Sequence, residues 1–225
     1  MISEIHRKLL SMKNEKYLEF NAKIIKNTRY ELIGVRLPEL RNYSKQLLKQ
    51  DWQNSFKDYY YEEVLLHGFC IAGYRCDWDT KKKMIDEYIK LIDNWGICDS
   101  FVASLKDIKK NRSDYYPVIK KYLKTKSEFI QRYALVVLLD YYVDKEYLND
   151  LFHIIKTQKY IGYYSKMAGA WLLSYLFMFY FDETLKYVKE NKIDDFIYKK
   201  GIQKSLDSYR LDKKQKSILK ALNHA

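Results

Sequence analysis

Asp114-Tyr115-Tyr116-Pro117-Val118-Ile119-Lys120-Lys121-Tyr122-Leu123-Lys124 places apolar side chains at 115, 118, 119, 122 and 123. Steps of three and four put all five on one face of a 3.6-residue helix and leave Lys120, Lys121 and Lys124 on the other. The same spacing recurs along almost the whole chain, and no segment keeps a convincing two-residue alternation, so the expected fold is all-α. Caps and breakers predict helices near 2–12, 15–26, 38–50, 59–73, 79–93, 95–109, 114–124, 127–142, 145–157, 162–180, 182–190, 194–209 and 213–223. Pro38 suits a first turn, and Asp79 and Ser127 suit N-caps.

So many helices, joined by short loops, exceed a four-helix bundle. They suit antiparallel pairs stacked side by side as an α-solenoid of HEAT/ARM-like repeats, one domain over 1–225, curved with a basic concave face. At ~40 residues per pair the chain holds about five or six units, although no repeat signature aligns along it. Nine Gly and Pro in 225 residues, where average usage would give ~12%, exclude sandwiches, barrels, collagen and long disordered linkers.

Lys and Arg number 41 against 29 Asp and Glu, a net charge of +12. Lysines cluster at Lys81-Lys82-Lys83, from Lys106 to Arg112, at Lys120-Lys121 with Lys124 and Lys126, at Lys199-Lys200 with Lys204, and at Lys213-Lys214 with Lys216. Clusters repeated along a chain predict a long charged surface for a polyanionic partner. Cys70, Cys76 and Cys98 are odd in number and form no C-x-x-C pair, and Met1–Arg7 has no apolar signal core, which predicts a reducing, cytoplasmic location. His6, His67, His153 and His224 lack paired-ligand spacing, so a metal site has little support. The uncharged run from Met167 to Phe181 is shorter than the ~20 residues that span a bilayer and reads as a buried helix.

Polar residues inside apolar helices mark the candidate sites, because a buried charge must be paired or face a ligand. Arg132 is the only cation in Ser127–Leu139; it is either fixed by a carboxylate of a neighbouring helix or a fork for a phosphate. Trp95 and Asp99 lie four apart on one helix face, either as a core ring with a capping carboxylate or as a cradle for a cationic sugar or base. In Lys166-Met167-Ala168-Gly169-Ala170-Trp171, small residues allow close helix approach, and Trp171 fits core packing better than a ligand platform.

Gly34-Val35-Arg36-Leu37-Pro38-Glu39-Leu40-Arg41-Asn42-Tyr43-Ser44-Lys45, preceded by the Tyr17–Phe20 segment, resembles the G-[VI]-R-x-P-x-L-R-x-x-[AS]-K signature of the AlkD-like DNA alkylation-repair family. Trp95-x-x-x-Asp99-Ser100, Gln131-Arg132, Lys166–Trp171 and Ser205–Arg210 follow in the family's order. The resemblance implies a HEAT-like solenoid that grips duplex DNA and removes N3- or N7-alkylated purines as a monomer, without metal, organic cofactor or membrane. It implies Trp95, Asp99 and Arg132 as the catalytic set, with Arg36, Arg41, Lys45, Lys166, Trp171, Lys204 and Arg210 toward DNA.

The better-characterised branch carries a second tryptophan where this chain has Ala170. One residue is a turn of ~100°, so Trp171 is expected to face packing instead. The family's upstream tyrosine has no clear counterpart, and some branches share the scaffold with little or no glycosylase activity. Two alternatives therefore stand beside the glycosylase: a non-catalytic solenoid recognising bent, damaged or branched DNA, and a helical scaffold for an acidic protein.

Overall fold

The computed structural model describes residues 3–223, so the expected helix start at residue 2 and His224 lie outside the described residues. Among the described residues thirteen α-helices follow in order: α1 Glu4–Ser11, α2 Glu15–Ile24, α3 Leu37–Leu47, α4 Tyr61–Gly73, α5 Trp78–Tyr88, α6 Trp95–Val102, α7 Arg112–Leu123, α8 Glu128–Tyr141, α9 Leu148–Thr157, α10 Gly162–Phe179, α11 Phe181–Glu190, α12 Asp195–Asp207 and α13 Lys213–Asn223. The chain is all-α, with short 3₁₀ turns at Ile89–Leu91 and Lys106–Lys110. Extended pairing among the described residues is limited to one isolated bridge between Glu31 and Tyr60.

The expected helix over 95–109 stops at Val102. Leu105 leaves helical geometry to bury its side chain, and Ile108 follows it into the core from the 3₁₀ turn. Ser127 caps α8 as expected, accepting from the Ile130 amide. Asp77, not Asp79, caps α5: its carboxylate accepts from the Thr80 amide at 2.8 Å and the Thr80 hydroxyl at 2.7 Å. Asp79 instead sits in the first turn, where a carboxylate complements the helix dipole.

Two compact units divide the chain, Met1–Asn111 and Arg112–Ala225. In the first, α4 is the centre and packs against α1, α3, α5 and α6. It buries almost every side chain, including Glu62 and Glu63. Two carboxylates survive there because backbone amides solvate them. Glu62 accepts from Ile33, Gly34 and Val35, and Glu63 from Lys57, Tyr59 and Tyr60, with His6 Nε2 at 2.8 Å. The loops before α3 and α4 are thereby fixed to one helix.

Lys81 corrects the reading of its cluster as surface charge. It is buried, and its Nζ donates to the carbonyls of Ile71, Ala72 and Tyr74 with Asp107 at 3.3 Å, closing the end of α4. In the second unit α10 is the centre, packed on α8, α12 and α11. Gln131 cross-links the turns around it by donating to Leu123, Thr125 and Lys159 and accepting from Ile161. No described helix is long and apolar enough to cross a membrane.

Candidate nucleic-acid interface

The start of α6 is held from three sides. Asn94, buried, caps the helix by accepting from the Ile97 amide. Its own amide donates to Asp93 at 2.7 Å. The Asp93 carboxylate also accepts from the Thr28 hydroxyl and the Arg29 amide, so the loop after α2 is tied to the helix start. Arg29 then donates to Tyr30 Oη and the Leu91 carbonyl, closing the same knot. Gly96 completes it, since a Cβ there would collide with the Tyr61 hydroxyl and crowd Ile25.

On this anchored turn, Trp95 and Asp99 are both half-buried while Ile97 and Cys98 between them are buried. The helix thus sends its apolar face inward and leaves a ring and a carboxylate at the surface, one turn apart. Burial pushes the Tyr61 phenol up, with the charges of Glu62, Asp93 and Asp99 and the Tyr17 phenol adding to the effect. Tyr61 therefore marks a neighbourhood shared by Tyr17 and Asp99. Tyr17 stacks on Phe20 at 6.3 Å and 26°, and Phe20 is 55% exposed. Lys16, Arg36 and Pro38 line a concavity with this aromatic pair.

The motif around Gly34 turns out to be mostly scaffold. Gly34 has φ +92° and lies against Leu18 too closely for any Cβ, and its carbonyl accepts from the Asn14 amide. A side chain would be strained there on both counts. What this turn presents outward is Arg36, exposed just before α3. Lys45 is exposed farther along the same helix. Arg41 lies over the Phe69 ring at 4.4 Å and donates to Ser104 Oγ at 3.0 Å, so it is positioned and not freely mobile.

In the second unit Arg132 is buried, with Nη1 donating to the Tyr164 carbonyl at 3.0 Å. Lys166 pairs with Asp194 at 3.0 Å and lies 5.9 Å from the Phe196 ring. Asp194 caps α12; burial works against its charge, but Lys166 and the amides of Ile197 and Phe196 hold the carboxyl below its ordinary value. Lys204 stands over Trp171 at 5.9 Å, and Arg210 over Phe179 at 4.9 Å. Ala170 is fully buried, and Trp171 is half-buried. A hollow with apolar floor at Leu123, Ile154 and Ile161 is rimmed by Lys120, Lys124, Lys126 and Lys159.

Tyr61, Asp93 and the Glu62-Glu63 pair escaped the sequence reading. The available signal was two adjacent acids opening an otherwise apolar helix, a pattern that needs buried donors nearby. Among the described residues no group of three or more His, Cys, Asp or Glu side chains is placed to hold a metal ion. A family model described as DNA alkylation repair enzyme matches residues 5–162. No curated protein matches the chain.

Proposed function

The chain belongs to the DNA alkylation repair enzyme family, and from that membership we propose that it is a DNA N-glycosylase releasing positively charged N3- or N7-alkylated purines from duplex DNA. The observation that carries this reading is the anchored first turn of α6, with half-buried Trp95 and Asp99 one turn apart. In the finer form of the proposal, helix pairs stack as HEAT-like repeats, the exposed cations grip the duplex, and the monomer works in the cytoplasm.

A purine alkylated on a ring nitrogen is already cationic. Its bond to C1′ breaks with the electron pair leaving on the base, so no general acid is required. Positive charge then develops on the sugar. Asp99 stabilises that oxocarbenium character, orients the water whose oxygen bonds to C1′ and accepts the proton that this water gives up. A carboxylate among phosphates is repelled unless it meets a cation, which is how Asp99 discriminates an alkylated nucleotide from a normal one. Trp95 contacts the deoxyribose and backbone beside the lesion. Arg36, Arg41, Lys45, Lys166, Lys204 and Arg210 supply the sequence-independent grip, whereas Arg132, buried and bonded to the Tyr164 carbonyl, is not presented to a phosphate.

Incubation with methylated duplex DNA tests this by assaying freed bases. Release of 3-methyladenine or 7-methylguanine by the native protein is expected, and no release above the Asp99→Asn background overturns it. The second reading, a non-catalytic protein that recognises bent, damaged or branched DNA, is favoured by one observation. Ala170 leaves no ring at the position of the family's second tryptophan, and its full burial gives no room to replace one. That reading predicts DNA binding equal in native and Asp99→Asn proteins with no base released by either.

A further inference from the structure

α10 is apolar around most of its circumference, a composition suited to complete burial. One face is nevertheless left at the surface. Tyr163, Met167, Trp171, Tyr175 and Phe179 recur every four residues, and none of them is buried. The two ends are the most open, Tyr163 at 56% and Phe179 at 49% exposure. Consecutive rings along the C-terminal half lie 6.0 Å and 5.9 Å apart, the rise of one helical repeat of four. A row of partly exposed rings along one helix face is a surface suited to contact with a partner.

Charge identifies the partner. Lys204 and Arg210 stand over the rings of Trp171 and Phe179, and Lys166 lies beside the N-terminal end of the stripe. Burial raises the Tyr175 pKa, with the Asp140 carboxylate adding to the effect and Arg210 opposing it. Alternating rings and cations match a ligand that alternates π faces and negative charges, which is a strand of unpaired nucleotides. The stripe also begins just beyond the stretch that the family model matches.

We propose that the Tyr163–Phe179 face of α10, with Lys204 and Arg210, is a stacking platform for single-stranded DNA. Bases lie on the rings at the spacing of the helical repeat, while the cations hold the phosphates. The platform rests on the DNA-binding reading above and adds its own substrate class, the unpaired strand that accompanies a damaged or branched duplex.

Titration of the full chain with a fluorescein-labelled oligothymidylate of about twelve nucleotides tests it, alongside a labelled intact duplex. Expected are quenching of tryptophan emission that is lost in Trp171→Phe, and a fall in oligothymidylate affinity of about tenfold or more in Tyr175→Ala/Phe179→Ala. Arg210→Glu should also weaken binding and Asp140→Asn should tighten it; both residues are exposed, so neither change disturbs the core. Duplex binding that persists while oligothymidylate binding is absent, or is unmoved by all four variants, overturns the platform and leaves the duplex reading standing. Absence of binding to either DNA overturns both. Tryptophan quenching by anionic phosphatidylglycerol vesicles without any by oligothymidylate overturns it as well.

Discussion

Asp99 is the only charged residue of α6, and in the proposed reaction its value lies in being a carboxylate. Asp99→Asn keeps the shape and removes the charge. Base release should therefore fall about 100-fold or more, the usual loss when a group that stabilises transition-state charge is removed. Duplex affinity should hold or rise slightly, because a repulsion toward phosphate is gone. Quantifying released purines and anisotropy on the same preparations checks both halves. Glu62 makes the opposite case, a carboxylate whose task is structural. In Glu62→Gln an NH₂ replaces one accepting oxygen, so at least one of the Ile33, Gly34 and Val35 amides loses its partner. The cost is about 1–3 kcal/mol in urea unfolding. Burial raises the Glu62 pKa despite those amides. Its unfolded counterpart therefore releases a proton first, and stability falls as pH rises from the ordinary carboxylate range through the raised value. Glu62→Gln should lack that fall in a series of unfolding curves across pH.

Elements were legible where periodicity and caps agreed. Ser127 fixed the start of α8, and the alternation of three and four fixed α7 around Pro117. The choice between Asp77 and Asp79 was not legible, because both precede a helical run and only the Thr80 contacts decide. Asp194 illustrates what a cap contributes. Its carboxylate accepts from Phe196 and Ile197 and pairs with Lys166, so Asp194→Ala should cost about 1 kcal/mol. Because its pKa is lowered on folding, that stabilisation is present above the ordinary carboxylate value and is lost as pH falls through the lowered one. Asp194→Asn retains an accepting oxygen without titrating, so its acid limb should be flatter in thermal melts at stepped pH.

Across the whole molecule, the net charge of +12 is a statement about partners only where the cations reach solvent. Duplex binding should weaken steeply with salt, on the order of several units of log–log slope. Arg36→Ala and Lys45→Ala, both exposed, should each lower that slope by about one. Lys81→Ala should leave the slope unchanged and destabilise the fold, because this lysine is consumed by three carbonyls at the end of α4. Anisotropy across a KCl series, paired with urea unfolding, separates the two behaviours. The helical class, the family and the Trp95–Asp99 spacing were all present in the amino-acid order, since each depends on neighbours within a few turns or on a motif. Folding alone decided which lysine is buried, that the Gly34 turn is scaffold held by Glu62, and that α10 leaves an aromatic face at the surface. Those outcomes depend on which distant backbone groups arrive beside a side chain, and local periodicity carries no record of them.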